Sequence, residues 1–389
     1  MNKIFKTILY TITMSLFFIG CESDDAVSST ATTVDVPTTY NFESRFNAGE
    51  SSVSYSGQVV RNIIIGDIKS SVGTASAATL NSLFNNDNAT ATISGTSTTY
   101  HSISTKKLSN KISETPVIGF DVTPTALITG WFDLVGGATP TKVVQNMHMD
   151  QLIGKGLLGM VAYYQGTSVY MDKIDTDTNT QDGTSAYSDM EHHWDESFGY
   201  FGAARDYGTM TDKTSSGGSD YLTQKNFDWA KYAAKRDACT DCPSAGNFAT
   251  NIFNAYLKGR ALITAEATLS EIQAERQTIV ENWEKVIAAN IVHYANEVDA
   301  LISAGGTDFD CSTDNSCQKY WSEMAAFVLC LQFNSYSDLV TADHEYLWTN
   351  TSHPPAANEG GTYQTTNLTN LKTKLGTLFS FEANDLANW

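Results

Sequence analysis

Apolar residues recur every three or four positions along most of this chain, which is the spacing of one face of an α-helix. Residues 56–73 place Val60, Ile64 and Ile68 on such a face, and a glycine ends the pattern. Residues 77–86 predict a second, shorter helix. Residues 143–166 resume the helical pattern, although their internal glycines weaken it.

The clearest pattern lies between residues 268 and 306. Thr268 and Glu271 have the spacing of a capping box at a helix start, and Gly305 with Gly306 predicts the end of the helix. At about 1.5 Å per residue the helix would be roughly 50 Å long. A broad apolar face over that length needs helical partners, which predicts a bundle.

Two further segments complete the predicted architecture. Residues 318–334 are apolar nearly all round, so we expect a central helix there. Residues 95–141 are rich in threonine, serine and proline, and predict a long irregular insertion around one apolar stretch. No repeated strand alternation is visible. The fold class is therefore all-α, a large helical bundle over residues 41–389, with a break into two halves near residues 95–141 as an open alternative.

The N-terminus has the pattern of an export signal. Residues 1–20 combine two lysines with a short apolar stretch, and "FFIGC" resembles the lipobox of bacterial lipoproteins, which implies lipidation at Cys21. A plain secretory signal with a chance cysteine is the alternative. Residues 21–40 predict a disordered tether, and its start "CESDD" resembles a surface-export signal. We therefore expect a lipid anchor in the outer membrane, on its periplasmic or cell-surface face.

Charge narrows the choice of partners. The 389-residue chain has 41% hydrophobic residues and a formal net charge of −19, and its lysines and arginines form no basic stripe. Nucleic acid is therefore excluded as an expected partner. An acidic exterior suits an exported protein, or one that attracts cations.

Five cysteines remain after Cys21. Cys239 with Cys242, and Cys311 with Cys317, are close in sequence, and in an oxidising compartment each pair predicts a disulfide. A zinc site of four thiolates is the alternative for these residues. The fifth cysteine lies in an apolar run and predicts a buried free thiol.

The stretch "MEHHWDESFGYFG" carries the candidate chemistry. On a helix His193 and Glu196 share a face, and His192 is one turn before Glu196. One imidazole and one carboxylate at this spacing form half of a site for iron or zinc. A polar helix start is the alternative. The candidate second half is His293 with Glu297 on the long helix, where a structural pair is the alternative. The loop after residue 172 departs from a calcium loop, so an ordinary solvated loop is expected there.

Two resemblances bear on this stretch. The H-x-x-E of His193 to Glu196 is similar to the metal-binding motif of the imelysins, which are secreted helical-bundle proteins linked to iron acquisition. The chain departs from that motif at Glu191, where the imelysins have glycine. "YNFESRF", "VSYSGQVVRN", "EHHWDESFGYFG" and "WEKVIAANIVHY" together resemble an uncharacterised family of bacterial lipoproteins, a domain of unknown function. The resemblance implies an imelysin-like bundle with His193 and Glu196 as ligands.

Two functions follow as hypotheses. The first is a cell-envelope lipoprotein that binds a metal ion, iron or zinc, in iron acquisition or with an envelope uptake partner. The second is a non-catalytic lipoprotein that binds a polysaccharide or protein, with Trp131, Trp194, Trp321 and Trp348 available for stacking. The H-E-x-x-H, G-x-S-x-G and Walker-type motifs do not occur, which makes an enzyme the minority interpretation.

Overall fold

The computed structural model of the chain describes residues 31–244, 246–306, 309–356 and 359–389. Residues 32–389 form one compact unit, undivided near residues 95–141. The helices are α1 Ser56–Ser71, α2 Ala77–Asn85, α3 Tyr100–Ile103, α4 Pro124–Val135, α5 Met149–Leu157, α6 Tyr170–Lys173, α7 Asp189–Phe201, α8 Asp228–Asp237, α9 Phe248–Thr264, α10 Leu269–Gly305, α11 Asn315–Cys330, α12 Thr341–Thr349, α13 Gly360–Thr362, α14 Thr369–Phe379 and α15 Ala383–Asn388. The described strands are β1 Val143–Val144 and β2 Met147–His148. The prediction of a predominantly all-α fold is confirmed.

Helix α10 is the longest element, with 37 residues. Thr268 and Glu271 form the predicted capping box at its start, and Gly306 caps its end. It packs against α9 on one side and α11 on the other, and α11 in turn packs against α5. Helix α11 is almost wholly buried, as its apolar sequence predicts.

A continuous helical stretch from Met149 to Lys173 runs through the core, and its middle part, Leu158–Val169, is π-helical. Two glycines allow close packing there. A Cβ at Gly159 would lie 2.8 Å from the Cα of Cys330, and one at Gly166 would lie 2.7 Å from the Trp283 ring. The glycines that weaken the sequence signal are therefore contact points for α11 and α10.

Residues 143–148 form a hairpin of β1 and β2 instead of the predicted helix. The two residues of its turn, Gln145 and Asn146, both have positive φ, of 50° and 62°. Two consecutive positive φ angles are typical of the type I′ turns that connect tight hairpins. Turn chemistry therefore overrides the helical pattern at these residues.

The compact unit begins earlier than the predicted tether boundary. The backbone N–H of Thr32 donates to Glu271 at the start of α10, and Tyr40 is fully buried. Cys21 and the signal segment lie outside the described residues. None of the described helices is long and apolar enough to cross a membrane.

The cysteine predictions are confirmed for the described residues. Cys239 is bonded to Cys242, and Cys311 is bonded to Cys317. Cys330 is a buried free thiol in α11. The four bonded thiols are thus not available as zinc ligands.

Candidate anion-binding pocket

The "HHWDE" stretch lies at the start of α7, where Ser188 and Glu191 form a capping box. Two of its five side chains are structural. The indole N–H of Trp194 donates to the carbonyl of Tyr256, and Asp195 accepts from the Nε of Arg260 at 3.0 Å. Both side chains are fully buried, so they fix α7 against α9.

His193 is held between two charged groups. Its Nδ1 lies 2.7 Å from a carboxylate oxygen of Asp177, and its Nε2 lies 2.9 Å from the ammonium nitrogen of Lys173. The network assigns the proton to Nδ1, which donates to Asp177, while Nε2 accepts from Lys173. Both ring nitrogens are therefore occupied by neighbours on the protein.

Glu196 faces a cavity at the start of α1. Its carboxylate accepts from the side-chain amide of Gln58 at 2.7 Å, and it lies 3.9 Å from the Nε2 of His192. The ring of Tyr187 stacks on His192 with 4.5 Å between centroids. Burial lowers the pKa of His192, an effect that Glu196 opposes, so the imidazole is neutral at pH 7.

A close approach of α1 to α7 forms the floor of this cavity. A Cβ at Gly199 would lie 2.8 Å from the Cβ atoms of both Gln58 and Tyr55. The small residue brings the first turn of α1 against α7 and puts Gln58 within reach of Glu196.

The cavity has a volume of about 410 Å³ and a cationic lining. Arg61, Lys106, Lys111 and Lys173 line it, against the single carboxylate of Glu196. This concentration of positive charge lies on a chain whose formal net charge is −19. The volume is in the range of small-molecule sites, roughly 300–1,000 Å³.

Arg61 is the most deeply buried of these cations, with 2% of its surface exposed. Its Nε donates to the carbonyl of Lys107 at 2.7 Å. Among the described residues it makes no ion pair with a carboxylate, and its guanidinium lies beside the hydroxyl of Tyr200. A buried guanidinium is costly unless it is paired with a charge of opposite sign, and Arg61 borders the cavity with its Nη1 beside Gly57.

The first turn of α1 adds backbone donors to the same cavity. Its N-cap residue Tyr55 provides no side-chain cap, and the turn contains no acidic residue. The N–H groups of Ser56 and Gly57 have no acceptor among the described residues, and both residues line the cavity. Free N–H groups and the positive end of the helix dipole favour an anion at this position.

Lys111 experiences repulsion from the other cations that line the cavity. Its ammonium group donates to the hydroxyl of Tyr170 at 2.9 Å. Burial lowers the pKa of Lys111; Glu196 opposes that effect, and repulsion from Arg61, Lys173 and Lys106 adds to it. A bound anion would relieve this repulsion.

The second predicted pair lies elsewhere. His293 lines a different cavity with Lys235 and Arg236, and its Nε2 is 3.9 Å from Glu297. Burial and the charge of Arg236 lower the pKa of His293 to about 4. In the part of the chain that the structure describes, no three His, Cys, Asp or Glu side chains are grouped to hold a metal ion.

The predicted donor set therefore does not fit a shared metal centre in this arrangement. His193 has no free nitrogen, Glu196 is bonded to Gln58 beside four cations, and His293 faces other basic residues. Only Glu196, with its neighbour His192, faces the α1 cavity.

Sequence reasoning missed the cations of the pocket. Lys106 and Lys111 lie in the connection between α3 and α4, whereas Arg61 lies in α1 and Lys173 at the end of α6, so no single local pattern brings the four together. Arg61 gave a detectable signal, because a lone arginine inside the apolar run "VVRNIII" has to be buried or partnered.

Comparison with known proteins identifies one family. The model of the domain of unknown function DUF4856 matches residues 129–353, from within α4 to beyond α12. No curated protein and no solved structure matches the chain. The matched region covers more than half of the chain and includes α7, α10 and α11, whereas the first turn of α1 precedes it. The chain belongs to the DUF4856 family.

Proposed function

We propose that this protein is a cell-envelope lipoprotein whose α1 pocket captures a small anionic ligand. The observation that carries the proposal is Arg61, a buried guanidinium without a carboxylate partner among the described residues, beside the uncapped start of α1. Three lysines extend the positive charge around it. Fixed donors around a concave site are the arrangement that anion recognition needs.

The same charges favour an anion over a metal cation. A divalent ion at His192 and Glu196 would share the cavity with four cationic side chains. To bind the metal, the carboxylate of Glu196 would also have to give up its hydrogen bond from the side-chain amide of Gln58. Metal binding by His193 and Glu196 and an imelysin-like role in iron acquisition remain predictions, and titration of the parent and of His193→Ala with zinc and ferrous iron tests the metal binding.

Binding, and not catalysis, is the proposed role. Glu196 is the one carboxylate among the residues that line the pocket, and Gln58 already holds it. The cations are fixed by neighbours, since Lys111 bonds Tyr170 and Lys173 bonds His193. Groups preorganised in this way reduce the entropic cost of ligand binding.

In the cell, lipidation at Cys21 would place this pocket at the outer membrane. A lipid-anchored protein with an acidic exterior and one cationic pocket would hold an anionic nutrient or envelope fragment for an uptake partner. The localisation is part of the proposal, and the N-terminal mass of the mature protein in the membrane fraction tests it. An unmodified N-terminus beyond residue 21 would contradict the lipid anchor.

The decisive experiment is ligand-induced stabilisation of the purified mature protein at constant ionic strength. Acetate and inorganic phosphate should raise the midpoint of thermal unfolding relative to chloride, because a ligand that binds only the folded state stabilises it. The gain should be lost in Lys111→Gln and Arg61→Gln. Lys374→Gln is the matched control, because Lys374 pairs with Asp343 outside the pocket and should leave the gain unchanged.

Two outcomes would contradict the proposal. One is that neither anion stabilises the parent protein beyond chloride. The other is that Lys111→Gln, which removes a half-buried side chain with little risk to the fold, retains the full stabilisation. Arg61→Gln then serves as the second measurement, because it removes the buried guanidinium itself.

A further inference from the structure

A second cavity, of about 520 Å³, lies beside the first. Its walls come from the π-helical segment and α6 on one side and from residues 332–335 after α11 on the other. Its lining is mostly apolar and also carries hydroxyl and amide side chains, and Lys173 is its one cationic residue. Tyr164, Ser168, Asp172 and Phe333 are among the residues that line it.

Lys173 lines both cavities, so they meet at this side chain. One strip of chain also runs along both of them, with Lys111 at the first and Ser113 at the second. This strip is fixed to the π-helical segment, because Gln165 donates to the carbonyl of Lys111 at 2.8 Å and the N–H of Ser113 donates to Met160 at 2.9 Å. The two cavities therefore share a rigid wall and a common boundary residue.

The charges differ sharply between the two ends. Arg61 and three lysines line the first cavity, whereas Lys173 and Asp172 are the charged residues that line the second. A second anionic group of the ligand would face the carboxylate of Asp172, which is unfavourable. A ligand that fills both cavities is therefore anionic at one end and uncharged at the other.

The uncharged end has to satisfy polar groups. An aliphatic chain would take the exposed carboxylate of Asp172 out of water without offering it a hydrogen-bond donor, which is costly. A hydroxylated body can donate to Asp172 and place its apolar face against Tyr164 and Phe333. A sugar has both properties.

We infer that the two cavities form one groove that binds an acidic saccharide, with the carboxylate of a uronic acid at Arg61 and a neutral sugar between Tyr164 and Asp172. This inference rests on the proposed anion-binding function and specifies its ligand class. Aliphatic carboxylates are the competing ligand chemistry, and the experiment separates them.

The experiment is calorimetric titration of the mature protein with acetate, glucuronic acid, octanoate, glucose and a disaccharide of glucuronic acid linked to glucose. We expect the acidic disaccharide to bind at least about 10-fold more tightly than acetate, a difference of about 1.4 kcal/mol. Glucose alone should bind weakly, because it lacks the anionic group. Tyr164→Ala should reduce the disaccharide affinity by about 10-fold and leave acetate affinity unchanged.

A second variant guards against a folding effect of Tyr164→Ala. Asp172 is exposed, so Asp172→Asn keeps its shape and should fold normally while it weakens disaccharide binding several-fold. Lys374→Gln is again the control. Octanoate binding as tight as the disaccharide, or a disaccharide no tighter than acetate and insensitive to both variants, would overturn the saccharide inference and leave anion binding intact. Failure of acetate, glucuronic acid and the disaccharide together would instead overturn the proposed function.

Discussion

The ammonium nitrogen of Lys173 lies 2.9 Å from the Nε2 of His193, and Asp177 holds the opposite ring nitrogen. The imidazole therefore accepts from the ammonium group of Lys173 and donates to the carboxylate of Asp177, which fixes the orientation of its ring. His193 positions Lys173 at the boundary between the two cavities. His193, the histidine of the H-x-x-E motif, therefore affects the pocket indirectly, because it holds Lys173 in the pocket lining.

This relationship makes the metal prediction testable. Because both nitrogens of His193 are engaged, we expect the parent protein and His193→Ala to bind zinc and ferrous iron with the same, weak affinity. Isothermal titration with each metal, followed by metal analysis of the dialysed protein, measures this. His192→Ala and Glu196→Ala complete the series.

Tight metal binding by the parent protein that is lost in His193→Ala would show that His193 is a metal ligand. If the parent retains about one metal per chain and His193→Ala loses it, then Lys173 must yield its place to the metal. Lys173→Met should in that case raise the metal affinity, because it frees the Nε2 of His193.

The lack of a side chain at Gly57 leaves space in the cavity at the start of α1. A Cβ at this position would lie 3.0 Å from the Cγ of Lys106 and 3.2 Å from the Nη1 of Arg61. Gly57→Ala should therefore obstruct the cavity and lower the affinity for acetate or glucuronic acid several-fold, measured by titration.

The same helix offers the control for this substitution. Gly66 has no atom within 4 Å of its would-be Cβ. Gly66→Ala should leave anion affinity unchanged and stabilise the protein by about 0.5–1 kcal/mol, as expected for alanine in place of a helical glycine. Equal ligand affinity in both variants would show that the anion does not sit at the start of α1.

Anion binding should depend on the protonation of Lys111 and therefore on pH. Burial lowers its pKa below the usual value near 10.5, and neighbouring cations add to this. As pH rises, Lys111 loses its proton before an ordinary lysine does, so the affinity for glucuronic acid should begin to fall below the pH at which an ordinary lysine titrates. Lys111→Arg should shift this loss to higher pH, because a guanidinium stays protonated. Superimposable pH profiles for the two proteins would contradict the assignment.

The buried carboxyl group of Glu284 should make the free energy of unfolding depend on pH. It is 8% exposed, and burial raises its pKa to about 7, while Ser337 and Asn334 oppose that rise by hydrogen bonding. The folded state therefore holds this proton more tightly than the unfolded state, whose carboxyl titrates near 4.5. By linkage the free energy of unfolding falls as pH rises from about 4.5 to about 7, and levels off above that range.

Glu284→Gln should remove this contribution, because glutamine carries no ionisable proton. The variant should be more stable than the parent at pH 8 by about 1–3 kcal/mol, and the difference should vanish near pH 4.5. Urea unfolding of both proteins at several pH values measures it. A constant difference across that range would show that Glu284 does not titrate as described.

Local sequence signals predicted the fold well. The capping box of Thr268 and Glu271 and the glycines at 305 and 306 gave α10 its limits, because helix ends depend on neighbouring residues. The two disulfides followed from the cysteine spacing. The hairpin at residues 143–148 did not follow, because a two-residue turn with positive φ angles leaves little trace in apolar periodicity.

The site was predictable only in part. Glu196 was recognised because it is close in sequence to two histidines, yet its bonded partner is Gln58, which is 138 residues away. Asp177 lay in a segment expected to be a solvated loop, and it instead bonds His193. Pairwise contacts over such distances depend on tertiary packing, which a single sequence does not encode in any local pattern.

The π-helical segment Leu158–Val169 has a consequence for how the chain tolerates changes in length. Each residue of a helix turns the chain by roughly a quarter of a turn, so loss or gain of one residue in this segment would rotate Tyr170 and Lys173 about the helix axis. Both side chains would leave the groove although no contact residue had been replaced. Single-residue insertions and deletions here should therefore abolish ligand binding, and family members that share the groove should share the length of this segment.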